Sequence, residues 1–254
     1  MLEVVDTHSH LDEVKDLENA LNRAKGTGVT AIIAVGSNHQ SNQRVMEISQ
    51  NYPGLVYPAL GLHPWELGKL SPDEIEITLT FIEKRVSRIA AIGEIGLDYD
   101  KRVTKVSPKD IQKAIFTRLL ALANKYAKPV SVHSRYAWKD AFDLVKEAGI
   151  EKAVFHWFTG FSSVLKEILK ADYFISATPA LEYHEEHRRA VKETPIERLL
   201  LETDCPVMYG RENRYRAQPA DVLRSLKAAA ELKNMDELVL ARLTTSNAVE
   251  LFGL

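Results

Sequence analysis

His8 and His10 stand two residues apart, just beyond the short apolar run Val4-Val5. In an extended strand, residues i and i+2 point to the same side. Two imidazoles in that spacing can bind one cation, each through a ring nitrogen. His133, His156 and Asp204 also close short apolar runs, and Glu94 follows Ala90-Ala91-Ile92-Gly93. A carboxylate buried at Glu94 would be costly to keep ionised alone. Two cations would stabilise it, and its two oxygens could bridge them. Metal pairs of this kind lie roughly 3.5–4 Å apart and can clamp a phosphoryl group from both sides. The alternative for Glu94 is an ion pair with a buried Arg or Lys. Asp204 can ligate a metal and also take a proton from water, whose pKa a metal can bring to roughly 7. His and carboxylate donors together suit Zn, Mn or Fe, and weaker sites take Mg.

Other residues are candidates for supporting roles. Glu202 lies two before Asp204 on the same strand face, as a partner behind a ligand or as half of a buried ion pair. His63, before Pro64, can contact a substrate phosphate, orient a ligand from behind, or be structural. Arg135 follows His133 by two. Arg211, Arg214 and Arg216 fall in the loop after the eighth apolar run, and Lys101, Arg102 and Lys105 in the loop after the fourth. A cationic rim built from these would suit a phosphate substrate, because guanidinium groups bind phosphate oxygens bidentately. Ordinary solvated loops are the plainer reading. His39, His184 and His187 lie in helix-like or loop contexts. His184 and His187, three apart, could pair on a helix as metal ligands, with a solvated helix face the plainer reading.

The elements that must position these residues alternate from end to end. Strands are expected at Val4-Val5, 30–35, 55–60, 89–92, 129–132, 153–155, 173–175 and 199–201. Helices are expected over about 13–25, 38–50, 72–86, 108–126, 137–148, 163–170, 184–193, 219–232 and 237–251. Eight strand–helix alternations predict an α/β protein with a parallel sheet, closed as a single (β/α)8 TIM barrel. An open doubly wound sheet is the alternative. The 254 residues match the roughly 250 that such a barrel needs. No internal repeat or linker interrupts them, so residues 1–254 are read as one domain. In a barrel the polar strand ends meet on one face, where the active site of the fold lies.

Composition narrows the function. Hydrophobic residues are 45% and charged residues 27% of the chain. No apolar run approaches the roughly 20 residues of a membrane span, and the N-terminal residues lack the order of a signal peptide. The lone Cys205 excludes an internal disulfide and suits a reducing, cytoplasmic setting. A net charge of −2 argues against bulk electrostatic capture of long nucleic acid, though not against a locally basic cleft.

Asp6-Thr7-His8-Ser9-His10-Leu11, Gly61-Leu62-His63-Pro64, Gly93-Glu94-Ile95-Gly96-Leu97-Asp98, His133-Ser134-Arg135, His156-Trp157-Phe158-Thr159-Gly160 and Glu202-Thr203-Asp204-Cys205-Pro206 resemble, in order, the signatures of the TatD-type metal-dependent deoxyribonucleases. The resemblance covers nearly the whole chain. It implies two divalent ions (Zn, Mn or Mg), one held by His8, His10 and Asp204, the other by His133 and His156, with Glu94 bridging. It implies hydrolysis of DNA phosphodiester bonds from exposed 3′ ends, single-stranded or frayed. Glu94 and Asp204 would be the catalytic carboxylates, and His63, Arg135 and Arg216 the substrate contacts. The chain departs from the family pattern at Trp157, at Phe161, at Ser176-Ala177-Thr178-Pro179 and at Arg216-Ala217-Gln218-Pro219. These positions fall on the expected substrate wall, so they bear on the substrate while the six metal-site residues remain. Trp157 and Phe161 can stack on bases or pack in the core.

An amidohydrolase acting on a cyclic amide is the nearest rival. Such enzymes often bridge their metals with a carboxylated lysine at the end of strand four, where this chain has Glu94. A non-catalytic metal or nucleic-acid binding module is the rival from another class, and it would be expected to lose ligands first.

Overall fold

The computed structural model describes residues 2–254. Eight parallel strands pair in chain order: β1 (Val4–Ser9), β2 (Val29–Gly36), β3 (Val56–Leu60), β4 (Ala91–Gly96), β5 (Val130–His133), β6 (Ala153–Phe155), β7 (Phe174–Ala177) and β8 (Leu199–Leu201). Beyond β8 the sheet turns back on β1. Thr7 Oγ1 donates to the Leu201 carbonyl at 2.9 Å, Asp204 N to His8 O at 2.9 Å, and His10 N to Cys205 O at 2.8 Å. The result is the closed (β/α)8 barrel that the alternation predicted.

Strand parity explains the two apolar layers. On β2, Ile32 and Ala34 join a cluster with helix residues such as Leu21, Val45, Phe116 and Phe142. The alternate residues Ala31, Ile33 and Val35 join Val5, Ala59, Ala91, Val154 and Leu200. The first set packs strands against helices, and the second fills the barrel interior. Strands buried on both faces read as continuous apolar runs, which is why β2 was legible.

The helices are α1 (Leu17–Gly26), α2 (His39–Asn51), α3 (Pro64–Leu67), α4 (Pro72–Glu83), α5 (Lys101–Thr104), α6 (Lys109–Lys125), α7 (Trp138–Glu147), α8 (Ser162–Lys170), α9 (Glu185–Glu193), α10 (Val222–Lys233) and α11 (Glu237–Phe252). Several starts are fixed by local chemistry. Asn38 and Ser41 form a reciprocal capping box on α2, and Ser71 with Glu74 does the same for α4, where Pro72 takes the first turn. The first helix begins at Leu17 and not at Glu13, because Leu11–Glu13 makes a separate 3-10 turn. α3 and α5 are single turns, too short to show a helical period.

α11 closes the N-terminal end of the barrel. Its Asn247 donates to the carbonyls of Ile196 and Leu199 at 2.7 and 2.8 Å, and Thr245 to that of Glu3 at 3.0 Å. All three acceptors precede or begin strands, so the C-terminal ends are left to the site. A hairpin, β9 (Met208–Tyr209) with β10 (Tyr215–Arg216), follows β8 on that side. None of the described helices is long and apolar enough to cross a membrane.

Candidate metal centre

Two strands leave regular pairing where chemistry sits. The β1–β2 register shifts between Asp6 and Ser9, and the β4–β5 register between Ile92 and Ile95. Such bulges re-aim side chains and recur beside active sites. Here they bracket His8 and Glu94. At Gly96, with φ +148°, a Cβ would lie 2.0 Å from the His133 carbonyl, so only glycine lets β4 approach β5 there.

Glu94 is the centre of the cluster. Its Oε2 lies 3.5 Å from His8 Nε2 and 3.4 Å from His10 Nε2, and those nitrogens are 3.7 and 3.5 Å from Asp204 Oδ1. Its Oε1 lies 2.8 Å from His133 Nδ1, 2.7 Å from His156 Nε2 and 3.3 Å from His63 Nε2. The buried Arg or Lys partner of the alternative reading is absent from these contacts.

The donor set fits divalent cations. His8 Nε2 is buried with no hydrogen-bond partner. Ligands about 2.0–2.2 Å from one tetrahedral ion lie roughly 3.3–3.6 Å apart, close to the spacing among His8, His10, Glu94 and Asp204. Three groups have donor atoms close enough to share an ion: His8, His10 and Asp204; His63, Glu94 and His133; and His8, His156 and Glu202.

Burial and charge oppose each other throughout. Burial alone would raise the Glu94 carboxyl, but His63, His156, His10 and His133 hold it well below the usual range. Asp204 is likewise raised by burial and brought below its usual value by His10, His8 and His156. Burial disfavours charge on His10, His133 and His156, yet the carboxylates push all three up. His63 goes the other way, lowered chiefly by burial. Its Nδ1 accepts the Trp65 backbone N–H at 3.1 Å, so in the neutral ring Nε2 carries the proton and donates towards Glu94.

Behind the cluster stand two buried carboxylates. Asp98 Oδ2 accepts from His133 Nε2 at 2.9 Å and from the Trp65 indole at 2.6 Å, and its Oδ1 accepts from Arg135 Nε at 3.2 Å. Burial would raise Asp98, but His133, Trp65 and the Asp100 amide hold it far below the ordinary carboxylate value. The sequence signal for Asp98 was its place at the end of the β4 motif, and no role was read from it. Glu202 accepts the Trp157 amide at 3.0 Å and lies 3.5 Å from His156 Nδ1. It is no partner of an Arg or Lys among the described residues.

The cluster opens into a cleft of about 1200 Å³. Arg135 and Arg216 line it as expected, joined by Arg189, which sequence reasoning missed. The expected cationic rim is there only in part. Arg102 pairs with Asp100 at 3.0 Å and, like Lys101, Lys105 and Arg214, does not line the cleft, while Arg211 donates to the Tyr183 carbonyl at 2.9 Å and lines a smaller pocket that shares His184, Glu185 and Glu186 with it. Glu13, Glu66, Glu185 and Glu186 line the cleft beside the three arginines. His184 caps α9, accepting the His187 amide at 3.3 Å. His187 is no solvated residue: it is buried, accepts from Thr178 N at 3.1 Å and contacts the Phe158 carbonyl at 3.0 Å. Trp157 and Phe161 both border the cleft. Cys205 is a buried free thiol whose Sγ lies 3.4 Å from Ser9 Oγ.

A closed parallel barrel with a buried His/carboxylate cluster at its C-terminal strand ends defines a metal-dependent hydrolase. Residues 5–253 match the model of the TatD related DNase family. The human deoxyribonuclease TATDN3 is 34% identical over 98% of this chain and 94% of that protein. A metal-dependent hydrolase from Bacillus subtilis, YabD, is 36% identical over 97% of this chain and 98% of its own length. The crystal structure of YJJV, a TatD homologue from Escherichia coli, superposes with a TM-score of 0.90 at 28% identity, covering 100% of this chain and 99% of that one. The chain belongs to the TatD-type metal-dependent deoxyribonuclease family.

Proposed function

We propose that this chain is a cytoplasmic, single-domain phosphodiesterase that removes nucleotides from exposed 3′ ends of single-stranded or frayed DNA, using two divalent ions. One observation carries the reading: the two oxygens of Glu94 face two separate histidine groups. In this reading His8, His10 and Asp204 hold one ion, His133 and His156 the other, and Glu94 bridges. Such a pair polarises a phosphoryl oxygen and makes water more acidic.

The chain's own residues do the rest. Asp204 borders the cleft with 11% of its side chain exposed, where it can take a proton from the attacking water. His63 steadies Glu94 through its Nε2 hydrogen. Arg135 and Arg216 hold phosphate oxygens beside the cluster. The human relative TATDN3 is a deoxyribonuclease, and that supplies the substrate class. The lone buried Cys205 suits a reducing compartment.

The balanced charge of the rim favours a second reading, a small cyclic amide as substrate. The test offers single-stranded DNA, RNA and a cyclic amide to the purified protein with Mg, Mn or Zn. DNA shortening from the 3′ end is expected. Three rim arginines predict a log affinity against log salt slope no steeper than about −2 for a single strand. Turnover of the amide with no DNA cleavage would replace this reading with the second.

A further inference from the structure

The cleft beside the cluster carries an aromatic ledge. Tyr136 is 59% exposed and Phe161 65%. Half-buried Trp138 lies between them, its ring centroid 5.9 Å from that of Tyr136 and 5.3 Å from that of Phe161. All three line the same cleft as Glu94 and Asp204. Aromatic surface left in water beside a polar centre is unfavourable unless something covers it.

The ledge is held in place. A Cβ on Gly160 would lie 2.5 Å from Trp138 Cγ, so the indole rests where only glycine admits it. Arg189 donates to the Gly160 carbonyl from behind. Backbone strain points the same way. Ala127, Asp172 and Asn234 have positive φ at the ends of α6, α8 and α10, where left-handed caps are ordinary. The other three such non-glycine residues are Tyr136 (φ 57°), Trp157 (φ 42°) and Asp204 (φ 48°). All three border the cleft. Strain of this kind persists where the surroundings enforce it, often at ligand sites.

Charge alone gives the cleft little preference for a polyanion, because its three lining arginines face four glutamates besides Glu94. A flat ring next to a phosphate meets both features at once. We propose that Tyr136, Trp138 and Phe161 form a stacking subsite for the nucleobase beside the scissile phosphate. The cleft then recognises a strand end by its base more than by its backbone charge. This rests on the phosphodiesterase reading above.

The test uses the metal-loaded protein with thymidine 5′-monophosphate and with 2-deoxyribose 5-phosphate, which lacks the base. Binding is read from tryptophan fluorescence, since Trp65, Trp138 and Trp157 all line the cleft. The nucleotide should bind at least about tenfold more tightly, and Phe161→Leu or Tyr136→Leu should each cut that preference by about tenfold. Phe161→Tyr keeps the ring and should keep the preference. Equal affinity for the two ligands, or a preference unchanged in both Leu variants, overturns the subsite. Cleavage of single-stranded DNA is followed in parallel. No cleavage with the base preference intact would remove the phosphodiesterase reading and leave the subsite. Cleavage with no base preference would do the reverse.

Discussion

The two oxygens of Glu94 face unlike surroundings. On the Oε2 side, the nitrogens of His8 and His10 stand 3.4–3.7 Å from carboxylate oxygens. On the Oε1 side, His133 and His156 close to 2.8 and 2.7 Å. The first group is spaced as ligands around an ion. The second is drawn tighter, with His133 Nδ1 hydrogen-bonded to Glu94 Oε1 and His156 Nε2 in close contact with the same oxygen. The carboxylates behind it explain this: Asp98 binds the far nitrogen of His133, and Glu202 lies near that of His156. The same donor types thus stand in two different spacings around one carboxylate.

The largest expected effect comes from removing what the two sides share. On the two-ion reading, both ions should be lost together in Glu94→Gln. Each supplies several kcal/mol of transition-state stabilisation, so turnover should fall by on the order of 10,000-fold or more. Elemental analysis after metal loading and gel filtration reads this directly. Full occupancy on either side would mean that Glu94 belongs to one side only.

Asp204→Asn should separate the sides. Asp204 lies against His8 and His10, so the His133 side should keep its ion. Loss of the proton acceptor should lower kcat by roughly 100- to 10,000-fold. A near-normal kcat would assign proton transfer to another group.

A chelator titration probes the asymmetry itself. Opening one charged hydrogen bond costs about 1.5–3 kcal/mol, which weakens the His133 side by roughly ten- to a hundredfold. Ions should therefore leave in two phases. His133→Ala should abolish the weaker phase and leave the tighter. If His133→Ala removes the tighter phase, the comparison is reversed.

Much of this was legible in the sequence, and the limits have physical causes. Strand parity and apolar runs identified the barrel and brought His8, His10, Glu94, His133, His156 and Asp204 to one face. Those signals are local. The bulges that turn His8 and Glu94 depend on pairing with β2 and β5, which no single segment encodes. The charged segment after β4 misled for a different reason. Arg102 is bound by Asp100, two residues away, and does not line the cleft. His187 sits in a polar run, Glu185-Glu186-His187-Arg188-Arg189, that reads as a solvated face. Its burial is set by the Thr178 and Phe158 backbones, contacts across nine and 29 positions. No role could be read for Asp98 because its side-chain donors come from α3 and from the end of β5 with the turn after it, both distant in sequence.

Asp98 also gives the smallest and most selective expected effect. It touches none of the Oε2 side, but it fixes His133 on the other and holds Arg135 and Trp65. Asp98→Asn keeps the shape and one acceptor oxygen while removing the charge. Carboxylates behind metal-bound histidines are typically worth about 10- to 100-fold in affinity or activity. The weaker chelation phase should therefore weaken further by about tenfold, with the tighter phase unmoved. Arg135, relieved of its buried partner, should shift as well, so KM for DNA should change along with kcat. Trp65 fluorescence offers a readout independent of turnover, because its indole loses a 2.6 Å bond to a carboxylate. A loss spread equally over both phases would show that Asp98 supports the barrel end as a whole. A loss confined to the weaker phase would show that the closed side of Glu94 is set from behind.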